Sequence, residues 1–434
     1  MNIQKEIVEK YGKRIKEIYN EEYDDTVVRI SNMVKEFRSL YGEGDYSIYT
    51  VAGRTEICGN HTDHNYGMVA CASINLDVIA IVKKTDDMLI RVKSEGYPEF
   101  TCDVRKEDVD EKLFGDSESI ARGVCMGLKN RGYKYGGFYA YTQSKILKGS
   151  GLSSSAAFED LIGTIENYIY NEGKIDVITL SQISQYAENV YFGKPCGLMD
   201  QIACSLGGFA HIDFENKNEP KVNKYDFSPE DHKYSLYIVD TGGSHVNLTD
   251  DYASVPNEMK SVAKLFGKEV LRGLKEEDLI EKAIEIRTKC GDRAFLRSLH
   301  FIRENQRVEK LITYLKNDDI DGFLSIISES GRSSNELLQN LYSVKSPNEQ
   351  GIPLACALTE TILKGKGAWR VHGGGFAGTM QAFVPFEKEQ EFKKVMQKVF
   401  GEKSVTKLKI RKYGQAKIGW KYIHLLQVQK EIHF

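Results

Sequence analysis

The sequence has no apolar run near the roughly 18 residues that a membrane span requires. Its opening residues, MNIQKEIVEKYGKR, alternate charged and apolar side chains and lack the apolar core of a secretion signal. Net charge is almost absent: 59 basic residues against 62 acidic ones leave a formal charge of -3. No overall field therefore favours nucleic acid or an anionic membrane, although a local basic pocket for phosphate is compatible with this balance. The eight cysteines (Cys58, Cys71, Cys102, Cys125, Cys196, Cys204, Cys290 and Cys356) form no C-x-x-C pair. That removes the usual zinc-ribbon and thioredoxin-like patterns. Scattered through a long chain, they read as free thiols in a reducing compartment. Internal repeats, low-complexity tracts and coiled-coil heptads are also missing. The expectation is a cytoplasmic monomer with no nucleic-acid and no membrane partner.

What remains is an ordinary globular balance of 41% hydrophobic and 28% charged residues over 434 positions. That length exceeds what one hydrophobic core usually serves, so two packed domains are expected. The polar stretch ENKNEPKVNKYDFSPED, residues 215–231, carries Pro220 and Pro229 and reads as the passage between them. It divides the chain into domains 1–214 and 215–434. Helix is expected over residues 3–40, 156–171, 180–191, 293–316, 320–330 and 351–364. Strands are expected over 46–52, 137–142, 209–214, 235–240, 369–371 and 379–384, with 68–83 forming a strand pair. Helices and strands mix without a strict alternation, so the class is α+β rather than doubly wound.

Four segments carry candidate chemistry. In KGSGLSSSAAFED, residues 148–160, Gly149 and Gly151 permit a tight turn close to a ligand. Ser153, Ser154 and Ser155 follow at a helix start, where unpaired N–H groups and the helix dipole favour an anion. The Ser155 hydroxyl is an oxygen ligand suited to magnesium. No G-K-[ST] closes the loop, so it is not a Walker A motif, and an ordinary glycine turn with a serine cap is the plain alternative. In GRTEICGNHTDHNYG, residues 53–67, Arg54, Glu56, Asn60, His61, Thr62, Asp63 and His64 crowd many donors and acceptors into one loop. Sugar recognition needs such density, because an unmatched buried polar group is costly. In ENVYFGKPCGLMDQ, residues 188–201, Asp200 follows two apolar residues and is suited to accept a substrate hydroxyl's proton. Glu188 is a candidate magnesium ligand; alone, each reads equally as a capping or solvated carboxylate. In RVHGGGFAGTM, residues 370–380, a glycine run has the freedom to present N–H groups to ATP or to form a hairpin turn. Arg370 and His372 are open between a structural and a cleft-facing role.

Taken together, these segments resemble the galactokinase branch of the GHMP small-molecule kinases, and the resemblance covers nearly the whole chain. Gly-Leu-Ser-Ser-Ser-Ala-Ala is the superfamily signature; the Gly-Arg and His-Thr-Asp elements and Cys-Gly-Leu-Met-Asp-Gln belong to the branch. The resemblance implies a two-domain GHMP kinase-like fold, its second domain ferredoxin-like, with the active site in the interdomain cleft. It implies ATP and Mg2+ as cofactors and transfer of phosphate to the anomeric hydroxyl of galactose. Asp200 would be the base or orienting carboxylate with Arg54 beside it. Asn60, His61, Asp63, Gly197 and Tyr252 would line the sugar pocket. Gly149, Gly151, Ser153, Ser154 and Ser155 would cradle ATP, and Ser155 with Glu188 would hold magnesium. Departures concern the substrate. Asn60 stands where the family carries a glutamate that meets the sugar's 6-hydroxyl. Ala52 and Leu147 replace prolines, and an arginine pair expected after Tyr252 is absent. A kinase for a related sugar such as galacturonate, or a sugar and ATP sensor without catalysis, are the alternative readings. The intact serine-alanine core, with Arg54 and Asp200, favours catalysis. The His-Thr-Asp loop argues against mevalonate or homoserine.

Overall fold

The structure, a computed structural model, describes residues 2–146, 152–243, 248–376 and 378–419. The N-terminal helical pattern forms two helices, α1 (Ile3–Tyr19) and α2 (Tyr23–Tyr41). The expected single helix breaks at Asn20, whose φ of 44° no α-helix accommodates. Both helices turn an apolar stripe, including Ile7, Ile15, Ile30, Val34 and Phe37, onto Ile48, Ile79 and Ile81 of the first sheet.

That sheet contains β1 (Ser47–Cys58), β2 (Met68–Lys84), β3 (Leu89–Ser94), β4 (Glu99–Asp103), β5 (Phe138–Ser144), β6 (Phe209–Asp213) and β7 (Lys221–Tyr225). Two strands differ from expectation in a way that matters for the site. β1 does not stop at Gly53 but continues through Cys58, and residues 68–84 form one long strand rather than a pair. A register shift between Ala52 and Gly53 makes this possible, with Ala52 opposite Asp77 and Gly53 opposite Ile74. Glycine suits the bulge, because a Cβ at Gly53 would lie 3.1 Å from the Leu76 carbonyl and 3.2 Å from Ile146. Arg54 and Glu56 thus sit on a rigid strand instead of a loop. The opposite face is covered by α3 (Ser117–Asn130), α4 (Ser154–Tyr170), α5 (Val177–Tyr186) and α6 (Met199–Leu206) over one large apolar core.

The chain crosses to its second half only after β7, which lies inside the expected linker and pairs with β6. The second sheet is wholly antiparallel, in the order β11 (Val405–Leu408), β8 (Tyr234–Asp240), β10 (Thr379–Pro385), β9 (Ala368–Val371). Around it lie α7 (Thr249–Leu265), α8 (Glu276–Glu281), α9 (Ala283–Lys289), α10 (Asp292–Lys316), α11 (Ile320–Ser333), α12 (Gly351–Leu363) and α13 (Glu389–Phe400). β12 (Gln415–Ile418) then returns to the first sheet and pairs with β1. The first sheet therefore recruits strands from both ends of the chain. Among the described residues, no helix is long and apolar enough to cross a membrane.

One buried carboxylate fastens this return. Asp77 accepts from Arg29 at 2.6 Å, Tyr19 at 2.5 Å, Thr50 at 3.0 Å and Arg411 at 2.9 Å. Burial would raise its pKa, but the guanidinium groups of Arg29 and Arg411 outweigh burial and hold it at about 2, against 3.8 in a free chain. Its stabilisation is therefore present above the free-chain value and is lost as the pH falls from 3.8 towards 2. Asp77→Asn leaves two buried guanidinium groups without a counter-charge and should cost about 3–5 kcal/mol. Denaturant unfolding at neutral pH measures that loss, and the gap between variant and unaltered chain should narrow below pH 4. A gap that stayed constant down to pH 2 would exclude Asp77 as the ionised anchor.

Candidate functional site

The continuation of β1 carries Arg54 to the first turn of α6, where Asp200 projects. Arg54 Nε donates to Asp200 Oδ1 at 2.7 Å and Nη2 to Oδ2 at 2.8 Å, a bidentate pair. Arg54 is buried, whereas the Asp200 side chain remains 31% exposed, so one edge of the carboxylate faces open space. A third donor is the Ser153 hydroxyl, which reaches Asp200 Oδ2. Ser153 caps α4 with φ 56° and ψ 60°, a left-handed conformation that serine adopts at a cost. Burial raises the Asp200 pKa, but the charge and hydrogen bonds of Arg54 overcome this and keep it below its ordinary value. Asp200 is thus an ionised acceptor at neutral pH.

A second carboxylate lies beside the start of the same helix. The expected helix over 180–191 is α5 followed by a π-helical turn, Ala187–Tyr191, and this turn aims Glu188 inward. Glu188 Oε1 accepts from Ser155 Oγ at 3.2 Å and from Lys194 Nζ at 3.0 Å. Gln201 Nε2 bridges Glu188 Oε2 at 3.0 Å and Glu159 Oε2 at 3.1 Å. Ser155 and Glu188 present hard oxygen donors side by side, a set that fits a magnesium ion. Ser154 is exposed on the first turn of α4. Gly149 and Gly151 lie outside the described residues.

The loop between β1 and β2 supplies the third wall. His61, with φ 56°, places Nε2 3.0 Å from the Gly374 carbonyl. A carbonyl only accepts, so this nitrogen carries the proton and Nδ1 is left as an acceptor. Burial, then the neighbouring His64, lower the His61 pKa to about 3, which keeps the ring neutral. Asp63 lies against Gly197 so closely that a Cβ there would stand 1.7 Å from Asp63 Oδ2. Tyr252, from α7, donates to the Gly375 carbonyl at 3.0 Å and lies against Gly374. His61 and Tyr252 thus meet at the glycine run of the second half, while Asp63 meets Gly197, three residues before Asp200.

Asn60 departs from expectation. It is 1% exposed, and its side chain is consumed by protein rather than turned to a ligand. Its amide donates to Glu56 at 3.1 Å and to the Gly373 carbonyl at 2.8 Å, and its oxygen accepts from Asn340 at 2.8 Å. Around it, Arg370 pairs with Glu56 at 2.5 Å, and Glu304 accepts from the Gly59 N–H at 3.0 Å and from Arg307 at 2.6 Å. His300 Nε2 lies 3.0 Å from the Asn60 carbonyl. Arg370 is 0% exposed and is therefore structural; His372 is buried on Thr55 at 3.0 Å. Sequence reasoning missed the partners Glu304, His300 and Asn340, and it missed Lys194. The one available signal was Arg370, a charge set in the otherwise apolar strand β9, with Glu56 as a carboxylate of opposite sign on β1.

Comparison with known proteins fits this geometry. The family model for the galactokinase galactose-binding signature matches residues 35–84, and that for the GHMP kinase N-terminal domain matches residues 119–208. A galactokinase of Clostridium tetani is 30% identical over 370 residues, covering 85% of this chain and 91% of that protein. The chain belongs to the galactokinase family. Another galactokinase, from Actinobacillus pleuropneumoniae, is 28% identical over 83% of this chain and 91% of its own length. In fold, the chain is similar to a Lactococcus lactis galactokinase solved with galactose, with a TM-score of 0.75, 22% identity, and coverage of 90% of this chain and 100% of that one. A Methanococcus jannaschii mevalonate kinase shares the fold at a TM-score of 0.59 and 15% identity, over 85% of this chain and 99% of its own. As a galactokinase-family member the chain is an ATP-dependent phosphotransferase acting on an alcohol, with the two-domain α+β fold of the GHMP kinases.

The buried setting of Asn60 in this galactokinase-family chain has a direct consequence. Asn60→Asp places a second carboxylate next to Glu56, with Arg370 already committed to the first. Like charges this close do not both ionise without cost. The variant should lose about 2–4 kcal/mol of stability, read by chemical denaturation. Unchanged stability would mean that the side chain faces the cleft after all.

Proposed function

We propose that this protein transfers the γ-phosphoryl group of ATP to the anomeric hydroxyl of galactose, giving galactose 1-phosphate and ADP. The observation that carries this reading is the Arg54–Asp200–Ser153 cluster at the start of α4, with Ser155 and Glu188 alongside. It places an ionised, partly open carboxylate next to a helix N-terminus suited to phosphate. The galactose-binding signature over residues 35–84 and the galactokinase names of the relatives support the choice of sugar.

In this mechanism Ser153, Ser154, Ser155 and the preceding Gly149 and Gly151 cradle the phosphates. Ser155 and Glu188 would hold magnesium, which would supply positive charge to neutralise the transferring group. His61, through its acceptor Nδ1, joins Asp63, Gly197 and Tyr252 in holding the sugar hydroxyls. Asp200 accepts a hydrogen bond from the anomeric hydroxyl and fixes its lone pair towards phosphorus. Its depressed pKa makes it a weak base, so its main work is orientation; as the O–P bond forms and the P–O bond to ADP breaks, the hydroxyl proton passes to Asp200 and from there to water. Arg54 keeps Asp200 ionised and adds positive charge near the reacting oxygens. The two halves meet at this cleft, with the passage between them after β7 rather than at residue 215 and with β12 rejoining the first. Eight free cysteines, six of them buried, support a reducing, cytoplasmic location.

The test is ADP release with Mg-ATP against galactose, galacturonate, N-acetylgalactosamine, glucose, arabinose and no sugar. Galactose-dependent turnover is expected, with Asp200→Asn slower by about 10³-fold. Preference for galacturonate would keep the mechanism and move the substrate. ATP binding without turnover on any sugar would replace the kinase reading with that of a sensor.

A further inference from the structure

Lys194 is not among the residues that the sequence motifs or the reaction assign. Its backbone N–H donates to the Glu188 carbonyl at 3.1 Å, and the preceding Gly193, at φ 77°, packs against Phe114. The main chain is therefore fixed to the turn that carries Glu188. The side chain is not: it is 62% exposed, while Glu188 is 3% exposed. Its ammonium lies 3.0 Å from Glu188 Oε1, the same oxygen that accepts from Ser155. Its positive charge also favours the ionised form of Asp200, though less than Arg54 does. Lys194, at the end of a flexible stem, therefore shares a Glu188 oxygen with Ser155 on the first turn of α4.

A buried carboxylate needs a counter-charge, and Lys194 supplies it to Glu188. The oxygen it occupies is one of the pair that fits magnesium. Once that oxygen is taken, the ammonium must find another anion, and the first turn of α4 carries the Ser155 hydroxyl that binds the same oxygen. We propose that Lys194 is a nucleotide-phosphate ligand that neutralises Glu188 in the free protein and moves onto a phosphate oxygen of ATP in the complex. The proposal rests on the kinase reading above and adds to it a cation that the reaction's expected machinery lacks. Lysine suits the task because its ammonium is a compact point charge that changes partners without a fixed fork geometry.

Equilibrium binding to the full chain tests this with Mg-ATP and with adenosine, which lacks phosphate. A charge-assisted hydrogen bond to phosphate is worth about a 10- to 100-fold change in affinity. Lys194→Met should weaken Mg-ATP by about that factor and leave adenosine unchanged, while Lys194→Arg should stay within about threefold of the unaltered chain. Nucleotide-free Mn2+ should bind Lys194→Met more tightly, because its competitor for Glu188 is gone. Unchanged Mg-ATP affinity in Lys194→Met overturns the proposal, as does a parallel loss for adenosine, which would mark a structural role. If the unaltered chain bound no Mg-ATP, the kinase reading itself would fall, a result distinct from either.

Discussion

The arrangement depends on the buried ion pair between Glu56 on β1 and Arg370 on β9. Each belongs to a different sheet, and both are almost fully removed from water. A buried charge deprived of its partner costs several kcal/mol, so neither half can withdraw without exposing or stranding one. Glu304 adds a second tie by accepting the Gly59 N–H and the Arg307 guanidinium. The loop that follows Gly59 is thereby fixed from the side of the second half. The cleft consequently draws Arg54, Ser153 and Asp200 from one half and Tyr252 and Gly374 from the other, and beneath it the halves share an apolar core in which Phe209 meets Phe323.

Inside that frame, two carboxylates are held by two different cations, and the difference suits the tasks proposed for them. Asp200 is gripped bidentately by a buried arginine and so keeps one charge state and one orientation. Glu188 is matched by an exposed lysine and by two neutral donors, Ser155 and Gln201. A planar guanidinium gives a rigid partner; an ammonium on a long stem gives one that can leave. In the proposed mechanism the first carboxylate stays still and the second exchanges its counter-ion.

Much of this was legible in the sequence. A glycine-serine cluster signals a backbone that few other residues tolerate, and Ser153, left-handed at the start of α4, is one such position. The positions of Asp200, Glu188 and Arg54 followed from the motifs. The limits of β1 and β2 did not, because a glycine and a polar run read as a loop, whereas a bulge at Gly53 lets the strand go on. The return of β12 to the first sheet was equally invisible. It depends on Asp77 meeting Arg411 across 334 positions, and no local pattern reports such a contact. β7 was hidden for the opposite reason: lysines and an asparagine on an edge strand resemble a linker.

Asn60 shows where local reading stops. In sequence it is one polar residue in a loop dense with sugar-binding chemistry, so an outward role is natural. Its direction is set by what surrounds it: Glu56 needs a donor, Asn340 needs an acceptor, and the Gly373 carbonyl needs an N–H. An amide meets all three at once, and a carboxylate meets only one. The neutral side chain is therefore explained by its buried neighbours before any substrate is considered. Specificity at the C6 end of the sugar must then come from groups that face the cleft.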